Sequence, residues 1–181
     1  AAVEELRPAP PDIRAGEQVE ADAERTRQLY RRFLELDAGD PELTTEALRR
    51  LGDLAMEAGD AARGDVPAQD AGVAETRAAI EIYTRLLEQK PDYAHADAVL
   101  YQLARAWEAE GLPDRALVRL DELVTRFPGS AHFGEAQFRR GEILFSAQRW
   151  HEAEMAYAAV IATESATAFH DQALYKHGWA L

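Results

Sequence analysis

The chain has 181 residues, 47% of them hydrophobic, with no cysteine and a formal net charge of −13. The missing cysteines exclude disulfides, thiolate metal sites and cysteine nucleophiles. The acidic balance, whose plain consequence is solubility, argues against nucleic acid, which is bound through phosphate neutralisation by Lys and Arg, and against an anionic membrane surface.

Residues 1–15, with Pro8, Pro10 and Pro11, read as an extended N-terminal arm. Ala1 to Leu6 are neither basic nor strongly apolar, so no signal peptide is visible, and the absence of an initial Met predicts a trimmed or mature chain. A helix is expected from about Glu17 to Leu36, with Leu29, Phe33 and Leu36 as its apolar stripe, and Gly39 and Pro41 end it. It is either an N-terminal cap or a degenerate half-repeat spanning 16–41. The next helix runs from about Pro41 to Ala58, with Thr44 or Thr45 as its cap. Gly59 to Gly72, with Pro67, Asp60, Asp65 and Asp70, reads as an inserted mobile loop. Its aspartates lack calcium-loop spacing. Helices at about 73–89, 95–110, 113–127, 134–147, 150–163 and 169–181 follow, divided by Pro91, Gly111 and Pro128-Gly129.

Several kinds of position recur together every 37 residues. Ala79, Ala116 and Ala153 form one series; Tyr83, Leu120 and Tyr157 a second; Ala104, Gly141 and Gly178 a third; Tyr101, Phe138 and Tyr175 a fourth. A period of this size marks an array of stacked units. Each unit reads as two antiparallel helices, in which the small residues let the axes approach and the large apolar ones fill the space around the crossing. One hairpin cannot bury its apolar face alone, so neighbours share a core.

The pattern resembles the tetratricopeptide repeat (TPR). One unit, 97–133, carries Leu100, Leu103-Ala104, Trp107, Ala116, Leu120 and Pro128. The next, 134–170, has Gly141, Leu144, Ala153 and Tyr157 and departs at Gln137, Arg140 and Ser165. An earlier unit, 45–96, has Leu48, Leu51-Gly52, Ala79, Tyr83 and Pro91, with 59–72 inserted between its helices. A last one, 171–181, has Leu174, Gly178 and Leu181 and predicts further repeats beyond it. The resemblance implies an all-α, right-handed α-solenoid of antiparallel helix pairs over 16–181. A period longer than the usual ~34 residues is similar to bacterial envelope members of the family, of the outer-membrane-assembly or Tol–Pal-associated kind. That implies a periplasmic or outer-membrane-associated protein.

The resemblance also implies where a partner sits, because in that family first-helix residues on the concave face hold peptides. The matching positions are Arg49, Tyr101, Phe138 and Tyr175; then Asp53, Arg105, Glu142 and Trp179; then Met56, Glu108 and Phe145. The aromatics at one repeating place either form a stripe along the groove or fill the interface between units. On the groove reading, Tyr101→Ala with Phe138→Ala abolishes binding while the fold stays intact.

Chemistry is thin. None of His95, His132, His151, His170 and His177 forms a chelating motif, so no metal is expected, and no phosphate-binding loop, dinucleotide fingerprint or nucleophile elbow is present. The expectation is a non-enzyme without cofactor that binds a protein or peptide, with no nucleic acid and no membrane insertion. The alternatives are a spacer that self-associates as a homo-oligomer, and a regulatory domain of a larger protein.

Overall fold

The computed structural model describes residues 15–36, 40–63, 69–163 and 169–180. Among them all regular secondary structure is helical: α1 (Ala15–Glu35), α2 (Pro41–Ala62), α3 (Gln69–Gln89), α4 (Ala96–Ala109), α5 (Pro113–Arg126), α6 (Phe133–Ser146), α7 (Trp150–Ile161) and α8 (His170–Ala180). The pairs α2/α3, α4/α5 and α6/α7 pack most extensively. Each pair meets the next through α3–α4 and α5–α6, while α1 lies on α2 and α8 on α7. This is the expected α-solenoid of helix pairs. The expected N-terminal arm lies outside the described residues, apart from Ala15, which opens α1.

Local sequence explains most boundaries. Asp40 caps α2, its carboxylate accepting from the Glu42 and Leu43 amides at 2.9 and 3.2 Å, with Pro41 as the first helical residue. Thr44 and Thr45, expected as caps, instead donate back to the Asp40 and Pro41 carbonyls. Gly111 ends α4 at φ +70, where the Leu112 amide donates to the Trp107 carbonyl at 2.9 Å. The same turn recurs 37 residues on, with Arg149 donating to Leu144 at 2.9 Å, but there Gln148 holds the left-handed position at φ 59. A Cβ in that conformation is costly. Gln148→Gly should therefore raise the unfolding free energy by about 0.5–1 kcal/mol, read as a higher midpoint in urea with an unchanged slope.

The expected loop at 59–72 is helical at both ends, with Gly59 to Ala62 in α2 and Gln69 to Gly72 in α3, which corrects the sequence reading there. α2 and α3 have 22 and 21 residues, against 14 each in α4 and α5, so inserted sequence lengthens both helices of the first hairpin. Its glycines serve contact. An added Cβ at Gly59 would fall 2.6 Å from Thr76 Oγ1, and one at Gly72 would fall 2.9 Å from Ala62 Cβ. Gly59 and Gly72 thus let α2 and α3 touch backbone to backbone in their added turns. Residues 64–68 lie outside the described set.

Two small residues at the main crossings, Gly52 and Gly141, each have a specific partner. A Cβ at Gly52 would meet Tyr83 Cε1 at 2.5 Å, and one at Gly141 would meet Tyr157 Cε1 at 2.5 Å. Both rings are fully buried. Each phenol donates to the carboxylate just after its glycine, Tyr83 to Asp53 at 2.8 Å and Tyr157 to Glu142 at 2.6 Å. The middle hairpin has Ala104, Arg105 and Leu120 at these places. Glycine, acid and tyrosine thus travel together, while alanine goes with leucine.

The core is continuous: Leu87 and Trp107 border both of its clusters, one centred on α2–α3 and the other running from α4 to α8. Arg27 ties α1 to the array through Glu75 of α3 at 3.1 Å. One position is poorly suited to this core. Gln137 is 8% exposed and its Oε1 has no partner, whereas Leu48 and Leu100 fill the same repeat place. Burying an unpaired amide oxygen costs stability. Gln137→Leu should gain about 1–2 kcal/mol, checked by thermal and urea melts.

Candidate functional site

The first helices of successive pairs line one side of the array, and α2 reaches α4 directly across the first seam. Their side chains form a ladder of ion pairs. On α2, Arg49 bridges Glu46 at 2.6 Å and Asp53 at 2.7 Å. Arg105 of α4 reaches back to Asp60 of α2 at 3.0 Å and also holds Gln102 of its own helix at 3.1 Å. Arg139 of α6 reaches back to Glu108 of α4 at 3.0 Å and pairs with Glu135 at 2.9 Å. Lys176 of α8 reaches back to Glu142 of α6 at 3.0 Å. At each seam a cation on the later helix meets an acid on the earlier one.

The ladder sets the protonation of its members. The hydrogen bonds from Arg49 hold Glu46 down at about 2, despite partial burial, and Glu46 in turn accepts from the Tyr93 hydroxyl at 2.9 Å. The bond to Glu46 raises Arg49 above its ordinary value. Burial works against the Arg139 charge, but the Glu135 carboxylate outweighs it and the guanidinium titrates higher than usual. Burial, with the neighbouring carboxylates, pushes the Tyr83 and Tyr157 phenols up, so both remain neutral donors.

Between α2 and α4 the ladder encloses a groove of about 240 Å³ lined by Arg49, Asp53, Met56, Glu57, Asp60, Ala98, Val99, Gln102 and Arg105. Its walls carry both signs of charge, and its floor includes buried Met56 and Val99. Such a surface suits a polar segment that brings its own backbone amides and charged side chains. It offers no nucleophile paired with a base. Among the described residues no group of three His, Asp or Glu is placed to hold a metal, and no helix is long and apolar enough to cross a membrane.

The structure divides the expected site residues into four sets. Arg49, Asp53 and Arg105 line the groove. Glu142 sits further along the ladder, with Glu108, and Phe145 lies beside Lys176, 5.4 Å from its ring centroid to Nζ. Tyr175 and Trp179 are exposed on α8 and touch edge to face at 6.1 Å between centroids.

Tyr101 and Phe138 go elsewhere. Tyr101 is 6% exposed and stacks flat on His132, the residue just before α6, centroids 4.5 Å apart, with the Arg139 guanidinium of α6 5.8 Å from its ring. Burial, with the Glu135 carboxylate, pushes its phenol up to about 12. Phe138 is half-buried against Phe169 and Tyr157, at 5.2 and 6.1 Å. These two rings fill the interfaces between units, the second of the two readings drawn from the sequence.

Among the contributors that were missed are Asp60, Gln102, Arg139 and Lys176. Asp60 was hidden by the loop reading. Gln102, Arg139 and Lys176 stand at one repeat place, 37 residues apart, and the two cations in that series were a legible signal.

Comparison with known families agrees with this architecture. The family profile described as tetratricopeptide repeat matches residues 98–130, which take in nearly all of α4, the whole of α5 and the turn after it. Residues 98–130 are thus similar to a tetratricopeptide repeat, a unit that generally mediates protein–protein interaction. No curated protein matches the chain.

Proposed function

We propose that this protein is a non-catalytic scaffold that binds a segment of a partner protein along the inner face of its first helices. The observation that supports this most directly is the groove between α2 and α4, where Arg49, Asp53, Asp60, Gln102 and Arg105 present donors and acceptors over an apolar floor. Pairing within the ladder keeps these side chains ordered before a ligand arrives, which lowers the entropy lost on binding. Tyr101 and Phe138 brace the face from within the seams, while Phe145, Tyr175 and Trp179 extend it toward α8.

The units 45–96, 97–133 and 134–170, with 171–181 opening another, are part of the same proposal, as is action in the bacterial envelope, which rests on the long repeat period alone.

The test is affinity capture from native extract with the wild-type chain and an Arg105→Glu, Glu57→Lys variant as paired baits. Both residues line the groove and neither is buried. A protein retained by the wild type and lost by the variant, at equal helical content, is the expected result. A partner retained equally by both places binding elsewhere.

A further inference from the structure

We infer that the partner segment is basic, setting one Lys or Arg side chain at each end of a trough that runs along the α2–α4 seam. The inference rests on the scaffold reading above and adds the chemistry of what the scaffold holds.

The ground is a second cavity. It measures about 460 Å³ and lies beside the first turns of α2, with Glu42, Glu46, Lys90, Asp92, Tyr93 and His95 in its walls. It shares a partition with the groove of about 240 Å³, because Arg49 of the groove forks onto Glu46 of the second cavity at 3.0 and 2.6 Å. Tyr93 donates to the same carboxylate at 2.9 Å. Register makes the two cavities one feature. Glu42, Glu46, Arg49, Asp53, Glu57 and Asp60 follow one another by three or four residues, so they form a single stripe on α2. Opposite them, Ala98, Gln102 and Arg105 do the same on α4, with His95 one step before. From Glu42 to Glu57 the trough runs about 22 Å, the span of about seven residues of extended chain.

Most charges in the trough are already paired. Arg49 holds Glu46 and Asp53, and the other Asp53 oxygen accepts from Tyr83. Arg105 and Arg63 share Asp60. Left over are the carboxylates of Glu42, Asp92 and Glu57 and the ammonium of Lys90. All four residues are exposed, and none has an ion pair with a described residue. The open charge is therefore acidic on balance and sits at both ends, Glu42 and Asp92 at one and Glu57 at the other.

A cationic side chain is attracted to each end, and an anionic one is repelled. The stems of Lys and Arg need apolar surface to lie on. Met56 and Val99 supply it in the groove, and the Tyr93 ring supplies it in the second cavity. Between the ends, the Gln102 side-chain oxygen accepts from Arg105, which leaves its amide nitrogen to donate to a main-chain carbonyl of the segment. The net charge of −13 adds long-range attraction of the same sign.

The experiment is selection of a phage-displayed library of random nine-residue peptides on the full chain. Ala98→Trp and Gln102→Trp, two bulky blocks on the α4 wall that add no charge, report whether a selected peptide sits in the trough. Far-ultraviolet circular dichroism verifies that each variant keeps its helices. The expected peptides carry Lys or Arg at two places about five to seven residues apart and are lost on the blocked variants. Glu57→Gln and Asp92→Asn should each weaken their binding about threefold. Selection repeated on a Glu57→Lys, Asp92→Lys variant should return acidic residues at the same two places. Trough-binding peptides without the two basic residues, or indifferent to Glu57→Gln and Asp92→Asn, overturn the inference and leave the scaffold reading standing. A selection in which no peptide is lost on either folded blocked variant overturns the scaffold reading as well.

Discussion

Gly141→Ala should lower the unfolding free energy by about 1–3 kcal/mol, although glycine to alanine inside a helix ordinarily gains about 0.5–1 kcal/mol. The sign is reversed by one contact: the new methyl group would sit 2.5 Å from Tyr157 Cε1. The ring is fully buried, so it cannot swing away without losing its packing and its hydrogen bond to Glu142 at 2.6 Å. The middle hairpin indicates the remedy, because there Ala104 stands with Leu120 in the same two places. On a Tyr157→Leu background, Gly141→Ala should therefore cost little, and the double-mutant cycle should show a coupling of about 1–2 kcal/mol. Additive effects would mean that the small residue is required by the backbones and not by the ring. Urea melts of the four proteins decide it.

Tyr101→Ala should cost about 3–5 kcal/mol, enough to unfold much of the array. The ring is 6% exposed and joins α4 to the start of α6 by stacking on His132, so truncation opens a cavity in a seam on which both helices depend. His132→Ala removes only the stacked partner, and its cost should be nearer ~1 kcal/mol. A Tyr101→Ala protein with wild-type melting would restore the groove reading of this residue. Loss of binding by Tyr101→Ala is accordingly no measure of the groove, and variants at Arg105 and Glu57 are the informative ones.

Much of this was legible in the chain itself. Helices fell close to where periodic apolar residues and the punctuation by Pro41, Pro91, Gly111 and Pro128 placed them. The recurring small residues marked the crossings. The aromatic series Tyr101, Phe138 and Tyr175 was also visible, but periodicity could not assign its function. A residue that repeats every 37 positions satisfies either a repeated ligand contact or a repeated seam, and both leave the same trace. The first two members are in seams, because His132 and Phe169, which stand just before α6 and α8, reach them. Tyr175 is exposed.

The two ends of the Gly59 to Gly72 segment were misread for a related reason. Glycine weakens a helix wherever it stands, so a local reading treats a cluster of glycines as a break. In the first hairpin the gain comes from a distance, as α3 approaches α2 closely enough that Thr76 and Ala62 would collide with any Cβ at Gly59 or Gly72. The ladder shows the same division. Arg139 and Lys176 were placed by register, but their acids, Glu108 and Glu142, do not share a repeat place.

The sequence by itself determined the helical repeat, its register and its pairing into hairpins, because those depend on contacts between residues a few turns apart, whose spacing is written directly in the chain. The tertiary structure decided which glycines are crossings, which aromatics are seams and which charges face each other across the groove, because each depends on what the neighbouring unit brings to within a few ångströms.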